Sequence, residues 1–216
     1  MKTGVIVFPG SNCDKDIADT LKVHYSHDVR LLWHKDSITE KFDLIVVPGG
    51  FSYGDYLRSG AIARFSNAMK SLPEHISKGG KVLGICNGFQ ILTEARLLPG
   101  ALLRNLNQKH ICKTVALKAG NSKLLSGVDS ILKIPISHGE GRYFADSDTL
   151  KQLEEKNRIL VKYAYDNPNG SVNDIAGIIS EDGKVVGLMP HPERAIESFA
   201  ESRDGKKFFD TLFQNF

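Results

Sequence analysis

Cys86 stands between two glycines at a point where the apolar pattern changes its period. Residues 82–85 are apolar, and apolar residues then recur at helical spacing up to residue 92, which predicts a strand, a sharp turn and a helix. Gly84-x-Cys86-x-Gly88 is the cysteine form of the nucleophile elbow. The first turn of a helix favours a thiolate over a thiol. The segment predicts a reactive cysteine; the alternative is a small buried residue at the end of a core strand.

His191 and Glu193 are two residues apart, and each follows a proline. Proline fixes the backbone, so the carboxylate can lie behind the imidazole while the imidazole faces a nucleophile. With Cys86 they form a candidate Cys-His-Glu triad. His191 would take the thiol proton and return it to a leaving amine, while Glu193 would orient the ring. The alternative for a single histidine before proline is a capping or surface residue.

An acyl-transfer site also needs donors for the oxyanion of the tetrahedral intermediate. We expect them in the glycine-rich loop at residues 48–55 and directly after the nucleophile: the backbone N–H groups of Gly50, Phe51 and Asn87. The alternative for the loop is an ordinary turn or a phosphate loop, but it lacks the Gly-Lys-Ser/Thr ending of a P-loop.

The elements that must position these groups alternate along the first half of the chain. Apolar strands are predicted at residues 2–8, 29–33, 44–47 and 82–85, with helical regions near residues 12–25 and 61–77. Ser11 or Asn12 is expected to cap the first helix. Alternating strands and helices indicate a mostly parallel central sheet flanked by helices, with its site at the carboxyl ends of the strands. The 48–55 loop and Cys86 both fall at that edge.

The second half of the chain has a different predicted order of strands and helices. Strands with little helix between them are expected at residues 101–104, 110–117, 132–135, 159–165, 175–179 and 185–189, before a terminal helix at 205–216. We therefore predict an α/β fold with a mixed or antiparallel extension in the C-terminal half, forming a single domain over residues 1–216.

The composition of the chain argues against several classes of function. The net charge is +3 and no long basic run occurs, so neither nucleic acid nor an anionic membrane is an expected partner. Apolar runs are too short for a membrane helix. Three cysteines without framework spacing indicate a reducing compartment, hence the cytoplasm. No histidine or cysteine cluster has the spacing of metal ligands, so no metal site is expected.

Together, the elbow at residues 84–90 and the base segment at 191–193 resemble those of the class I, triad-type glutamine amidotransferases. Within that family, residues 8–14, 48–56, 137–142 and 167–171 resemble segments of a glutaminase subunit of purine biosynthesis. The resemblance runs from residue 8 to residue 194.

The resemblance implies that Cys86 attacks the side-chain amide of L-glutamine, giving a glutamyl thioester and ammonia. It also implies that glutamine is held by these residues: Gly49, Gln90, His138, Gly139, Glu140, Gly141 and Arg142. The alternative for the last five is a glycine-rich turn between strands.

Ammonia in neutral water is mostly protonated and not nucleophilic, so a glutaminase that serves a synthesis must deliver its product to a nearby acceptor site. The chain has no recognisable ATP site, and no cofactor is expected in it. The resemblance implies an ATP-dependent synthetase subunit that carries ATP and magnesium, and a small third subunit in the same complex.

Other interpretations of the sequence are a different cysteine hydrolase, such as a peptidase, and a non-catalytic regulatory module. A module of that kind would be expected to lack Cys86, His191 or Glu193, and all three are present. Cys13 lacks flanking glycines, which favours a structural role or a subunit contact, and Cys112 is expected to serve packing.

Overall fold

The computed structural model describes all residues, 1–216. Five α-helices are present: α1 Asp14–Tyr25, α2 Asn67–Ser77, α3 Asn87–Glu94, α4 Ser147–Glu155 and α5 Asp204–Asn215. The eleven strands are β1 Lys2–Val7, β2 Asp28–Trp33, β3 Leu44–Val47, β4 Lys81–Ile85, β5 Ala101–Leu103, β6 Ile111–Ala119, β7 Leu132–His138, β8 Arg142–Phe144, β9 Ile159–Tyr163, β10 Ile175–Ile179 and β11 Val185–Leu188.

The chain divides into two compact units. The first comprises Met1–Leu98 and Lys184–Gly187, and its strands lie in the order β2-β1-β3-β4-β11. Strand β1 pairs in parallel with β2 and β3, and β3 pairs in parallel with β4. Every residue of β3 is buried, as expected for a parallel strand covered on both faces. Helix α3 packs on β3 and β4, so the helix after Cys86 lies directly on the core strands.

The second unit comprises Pro99–Gly183 and Leu188–Phe216. Its strands β10, β9, β6 and β7 are joined by antiparallel pairing in that order, and β5 and β8 form a separate antiparallel pair. Helix α5 packs on β7, and the Asp204 carboxylate accepts the Lys133 backbone N–H at 2.7 Å. This bond covers a donor on the outer strand of the unit.

The predicted fold class is confirmed: parallel strands with helices in the first unit, antiparallel strands in the second. The single domain over residues 1–216 stays a prediction. No helix exceeds 12 residues, and none combines the length and apolarity needed to cross a bilayer.

Three local expectations were wrong. The C-terminal half contains helix α4, which starts where the Asp146 carboxylate accepts the Thr149 N–H at 2.8 Å. The helical region expected at residues 61–77 is interrupted: a short 3-10 helix occupies Ala63–Phe65, and α2 begins only at Asn67, because Ser66 caps it by accepting the Met69 N–H. Neither Ser11 nor Asn12 caps α1; Cys13 is at that position, and no side-chain capping bond is formed.

Candidate active site

The turn at Cys86 is a strained elbow between β4 and α3. Cys86 has φ +50° and ψ −105°, a backbone conformation that a non-glycine residue adopts only when its surroundings impose it. A Cβ atom at Gly88 would lie 1.8 Å from the Val47 carbonyl oxygen. Glycine therefore allows α3 to start directly against β3, and the close approach holds the cysteine at the end of β4, as predicted.

The loop after β3 is joined to the start of α3. The Ser52 N–H donates to Asn87 Oδ1 at 3.1 Å, and Asn87 Nδ2 donates to Gln90 Oε1 at 2.9 Å. All three side chains are buried. These bonds bring the glycine-rich loop, the residue after the nucleophile and the predicted substrate-binding Gln90 into one cluster.

The predicted oxyanion donors are not equivalent. The Phe51 N–H donates to the Gly10 carbonyl oxygen at 3.0 Å, so in this structure it is directed at the protein and not at an oxyanion. The assignment of Phe51 as an oxyanion donor is not supported by this bond and stays a prediction. The assignments of Gly50 and Asn87 stay predictions.

The loop at residues 49–53 is held by the segment at residues 9–13, a contact that the sequence did not predict. The Tyr53 N–H donates to Pro9 O at 2.7 Å, and the Cys13 N–H donates to Gly49 O at 3.3 Å. Gly50 has φ +139°, and a Cβ there would lie 2.8 Å from the Asn12 nitrogen. A signal for this packing is present in the sequence, because each segment carries glycine where the two backbones touch.

His191 and Glu193 form a buried pair in the second unit. His191 Nδ1 lies 2.7 Å from Glu193 Oε1, and the two residues are 2% and 5% exposed. The His191 N–H donates to Pro135 O at 2.8 Å, which fixes the residue against β7. Because a carboxylate only accepts, the Nδ1 atom carries a proton and Nε2 is the basic nitrogen. The geometry suits a general base.

His138 ends β7, and the Gly139, Glu140 and Gly141 turn leads to β8. Burial lowers the pKa of His138 to about 4, and the charges of His191 and His110 act in the same direction. Glu140 lies 3.8 Å from Arg104. Strand β7 thus carries both Pro135, which anchors His191, and the first residue of the predicted substrate segment.

Asparagines hold this segment, and sequence reasoning assigned them no role. Asn105 accepts the Gly141 N–H at 3.0 Å, and Asn169 Nδ2 donates to Gly141 O at 2.8 Å. The only signal in the sequence was the resemblance of residues 167–171 to a family segment.

Each unit therefore assembles one part of the predicted site. The first contains Cys86, Asn87, Gln90 and the loop that includes Gly49 and Gly50; the second contains the His191–Glu193 pair and residues 138–142.

Cys13 is buried and its thiol donates to Asn12 Oδ1 at 3.2 Å, while Cys112 is exposed, against the expectation that it serves packing.

The α/β fold, the cysteine elbow and the buried histidine–glutamate pair fit the class of triad-type glutamine amidotransferases. The family model of the CobB/CobQ-like glutamine amidotransferase domain matches residues 1–215. The chain belongs to this family.

Comparison with individual proteins shows which members of the family this chain is similar to. Two proteins named phosphoribosylformylglycinamidine synthase subunit PurQ, from two strains of Leptospira interrogans, are each 57% identical over 216 residues, covering 98% of this chain and 99% of the relative. A chain of the PurLQS structure from Thermotoga maritima is 39% identical with a TM-score of 0.87, covering 99% of this chain and 97% of that one. A glutamine amidotransferase from Thermotoga maritima shares the fold at 17% identity, with a TM-score of 0.60 over 99% of this chain and 82% of its own.

Proposed function

We propose that this chain is the glutaminase subunit of phosphoribosylformylglycinamidine synthase. It hydrolyses glutamine to glutamate and ammonia, and a partner synthetase uses the ammonia and ATP to convert formylglycinamide ribonucleotide to formylglycinamidine ribonucleotide in de novo purine biosynthesis. The observation that carries the proposal is the 57% identity, over 98% of the chain, to two subunits of that name.

In the proposed reaction, Cys86 Sγ attacks the side-chain carboxamide carbon of glutamine while His191 Nε2 takes the thiol proton. The N–H groups of Gly50 and Asn87 donate to the resulting oxyanion. Collapse of the intermediate breaks the C–N bond, and His191 returns the proton to the departing nitrogen, which leaves as ammonia. Water, deprotonated by His191, then hydrolyses the thioester to glutamate and regenerates the thiol.

Glu193 acts through His191. With Oε1 at 2.7 Å from Nδ1, the carboxylate fixes the ring and stabilises the imidazolium that forms in each proton transfer. Replacing Glu193 by glutamine would remove that charge and permit the wrong tautomer, so we expect a large loss of kcat with little change in fold.

The residues proposed to hold glutamine are Gly49, Gln90 and those of the segment at residues 138–142. The Gln90 amide is held by the donation from Asn87 Nδ2 to its Oε1, so this side chain is preorganised. Preorganised groups lose little entropy on binding.

The proposed partner, a synthetase subunit, is inferred from the reaction product, ammonia. A subunit that releases ammonia needs an acceptor site close by, and the relatives are named as synthase subunits. We propose that ATP and magnesium bind to the synthetase subunit, that no cofactor binds to this chain, and that a small third subunit completes the complex. We also propose a cytoplasmic location, which a role in purine biosynthesis supports.

The experiment compares two substrates in the reconstituted complex. Cys86→Ala removes synthesis from glutamine and leaves synthesis from added ammonia largely intact. Cys112→Ala is the matched control, because this thiol is exposed and lies in β6, and it retains both activities. Loss of both activities in a folded Cys86→Ala complex would contradict the proposed division of labour.

A further inference from the structure

Asn105 is fully buried and lies just after β5. Its Nδ2 donates to the carbonyl oxygens of Lys109 and His138, each at 2.8 Å. Its Oδ1 accepts the Gly141 N–H at 3.0 Å and lies 3.1 Å from His138 Nδ1. Both ends of the amide therefore bond to the segment proposed to hold glutamine.

These partners fix the orientation of the amide. Two carbonyl oxygens can bond only to the NH₂ end, and a backbone N–H can bond only to the oxygen. The atom that faces His138 Nδ1 is therefore an acceptor, so Nδ1 must carry the proton. Asn105 thus selects the Nδ1–H tautomer of His138.

In this tautomer, Nε2 carries a lone pair. His138 is 2% exposed, and its Nε2 atom is buried with no hydrogen-bond partner within the protein. Burial keeps the ring neutral at pH 7, since it lowers the pKa to about 4. A buried acceptor without a partner favours a ligand that supplies a donor.

The ring is also fixed in place. A Cβ atom at Gly141 would lie 2.3 Å from His138 Cε1 and Nδ1, so the imidazole packs directly on the glycine. The Gly141 carbonyl is in turn held by Asn169 at 2.8 Å. Rotation of the ring would require the whole turn to move.

We propose that Asn105 is a positioning residue that presents His138 Nε2 as a hydrogen-bond acceptor to an N–H group of glutamine. The inference rests on the proposed function and deepens it. A lone pair repels a carboxylate and accepts from an ammonium or a carboxamide NH₂. The donor is therefore the α-ammonium or the side-chain amide of the substrate.

The main test uses two variants, His138→Asn and His138→Gln, each of which places an amide near one of the two imidazole nitrogens. Asparagine places its amide near the Nδ1 position and retains the contact with Asn105, whereas glutamine reaches the Nε2 position. In the complex, we expect His138→Asn to raise KM for glutamine about tenfold or more, the effect of one lost bond of about 1.4 kcal/mol, and His138→Gln to raise it less. Equal KM values for the two variants, or a larger effect for His138→Gln, would overturn the proposal.

Asn105→Asp tests the positioning directly. The carboxylate retains both acceptor contacts but loses both donations, and its charge favours an imidazolium with a proton on Nε2. We expect a higher KM with a smaller change in kcat, and unchanged synthesis from ammonia. An unchanged KM would contradict the role of Asn105.

Nitrogen-15 NMR of histidine-labelled wild-type protein supplies a readout that does not depend on activity or on the folding of a variant. Near pH 7, the His138 signals should show a protonated Nδ1 and an unprotonated Nε2. A protonated Nε2 would refute the inference while leaving the glutaminase function intact, whereas a wild-type complex that cannot use glutamine would refute the proposed function instead.

The des-amino analogue of glutamine distinguishes the two donors. If the α-ammonium donates to Nε2, His138→Asn weakens glutamine binding but not binding of the analogue. If the carboxamide donates, the variant weakens both by the same factor. Unchanged binding of both ligands would refute the proposal.

Discussion

Gly88→Ala is expected to displace the nucleophile elbow. The new methyl carbon would lie 1.8 Å from the Val47 carbonyl oxygen, whereas a carbon–oxygen contact is normally about 3.3 Å. The start of α3 and strand β3 must therefore separate by roughly 1.5 Å. Val47 is fully buried, so the separation opens the core beside Cys86.

This displacement should affect both stability and catalysis. Overpacking of this severity costs about 3 kcal/mol, which for a chain of this size lowers Tm by about 6–12 °C. The shift also stretches the 3.1 Å bond between the Ser52 N–H and Asn87 Oδ1 beyond hydrogen-bond range. Misplacement of a catalytic group by about 1 Å costs about 100-fold in rate.

The assay is thermal unfolding of the chain together with glutamate release in the complex. Gly183→Asn is the control: Gly183 has φ +73° and open space around it, and asparagine tolerates positive φ. The control should lose less than about 1 kcal/mol and retain its rate. A Gly88→Ala protein with wild-type Tm and wild-type rate would refute the account of the elbow.

Two further predictions concern stability. Asp204→Ala removes the acceptor of the Lys133 N–H and should lower the free energy of unfolding, measured in urea, by about 1–2 kcal/mol. The control is Asp210→Ala, which removes an exposed pair with Lys206 and should change the free energy of unfolding by less than about 0.5 kcal/mol. Equal effects of the two substitutions would contradict the docking role of Asp204. Stability should also fall with acid, because the pKa of His138 is lowered to about 4 in the folded chain and the unfolded chain binds the proton first. The contribution of His138 to stability is fully present above about pH 6.5, and about 2–3 kcal/mol of this contribution is lost by about pH 4.5. A His138→Asn protein that loses as much stability as the wild type between these pH values would contradict this.

The strongly periodic parts of the fold were predictable from the sequence. Strand β3 is a run of four buried apolar residues, and the change of period at Cys86 correctly located β4 and α3. Helix α4 was missed because its apolar face consists of only two residues, Leu150 and Leu153, of which only Leu153 is buried. A helix of this kind depends on its cap, and Asp146 is a weak signal in isolation.

The chemistry of the site was only partly predictable. The glycine spacing around Cys86 correctly predicted the elbow, and the spacing of His191 and Glu193 predicts a base. The bond from the Phe51 N–H to Gly10 O, and the bonds from Asn105 to His138, join residues far apart in sequence. No local pattern encodes such contacts, because they arise only when separate loops pack together.

The central claim is that Cys86 is the nucleophile for glutamine. The most direct measurement is incubation of the chain, alone and in its complex, with a diazo-ketone analogue of glutamine, followed by mass spectrometry of the peptides. We expect one modification, at Cys86, which excess glutamine prevents and which Cys86→Ser abolishes. Modification at Cys13 or Cys112 that glutamine prevents, or no modification of the folded complex, would contradict it.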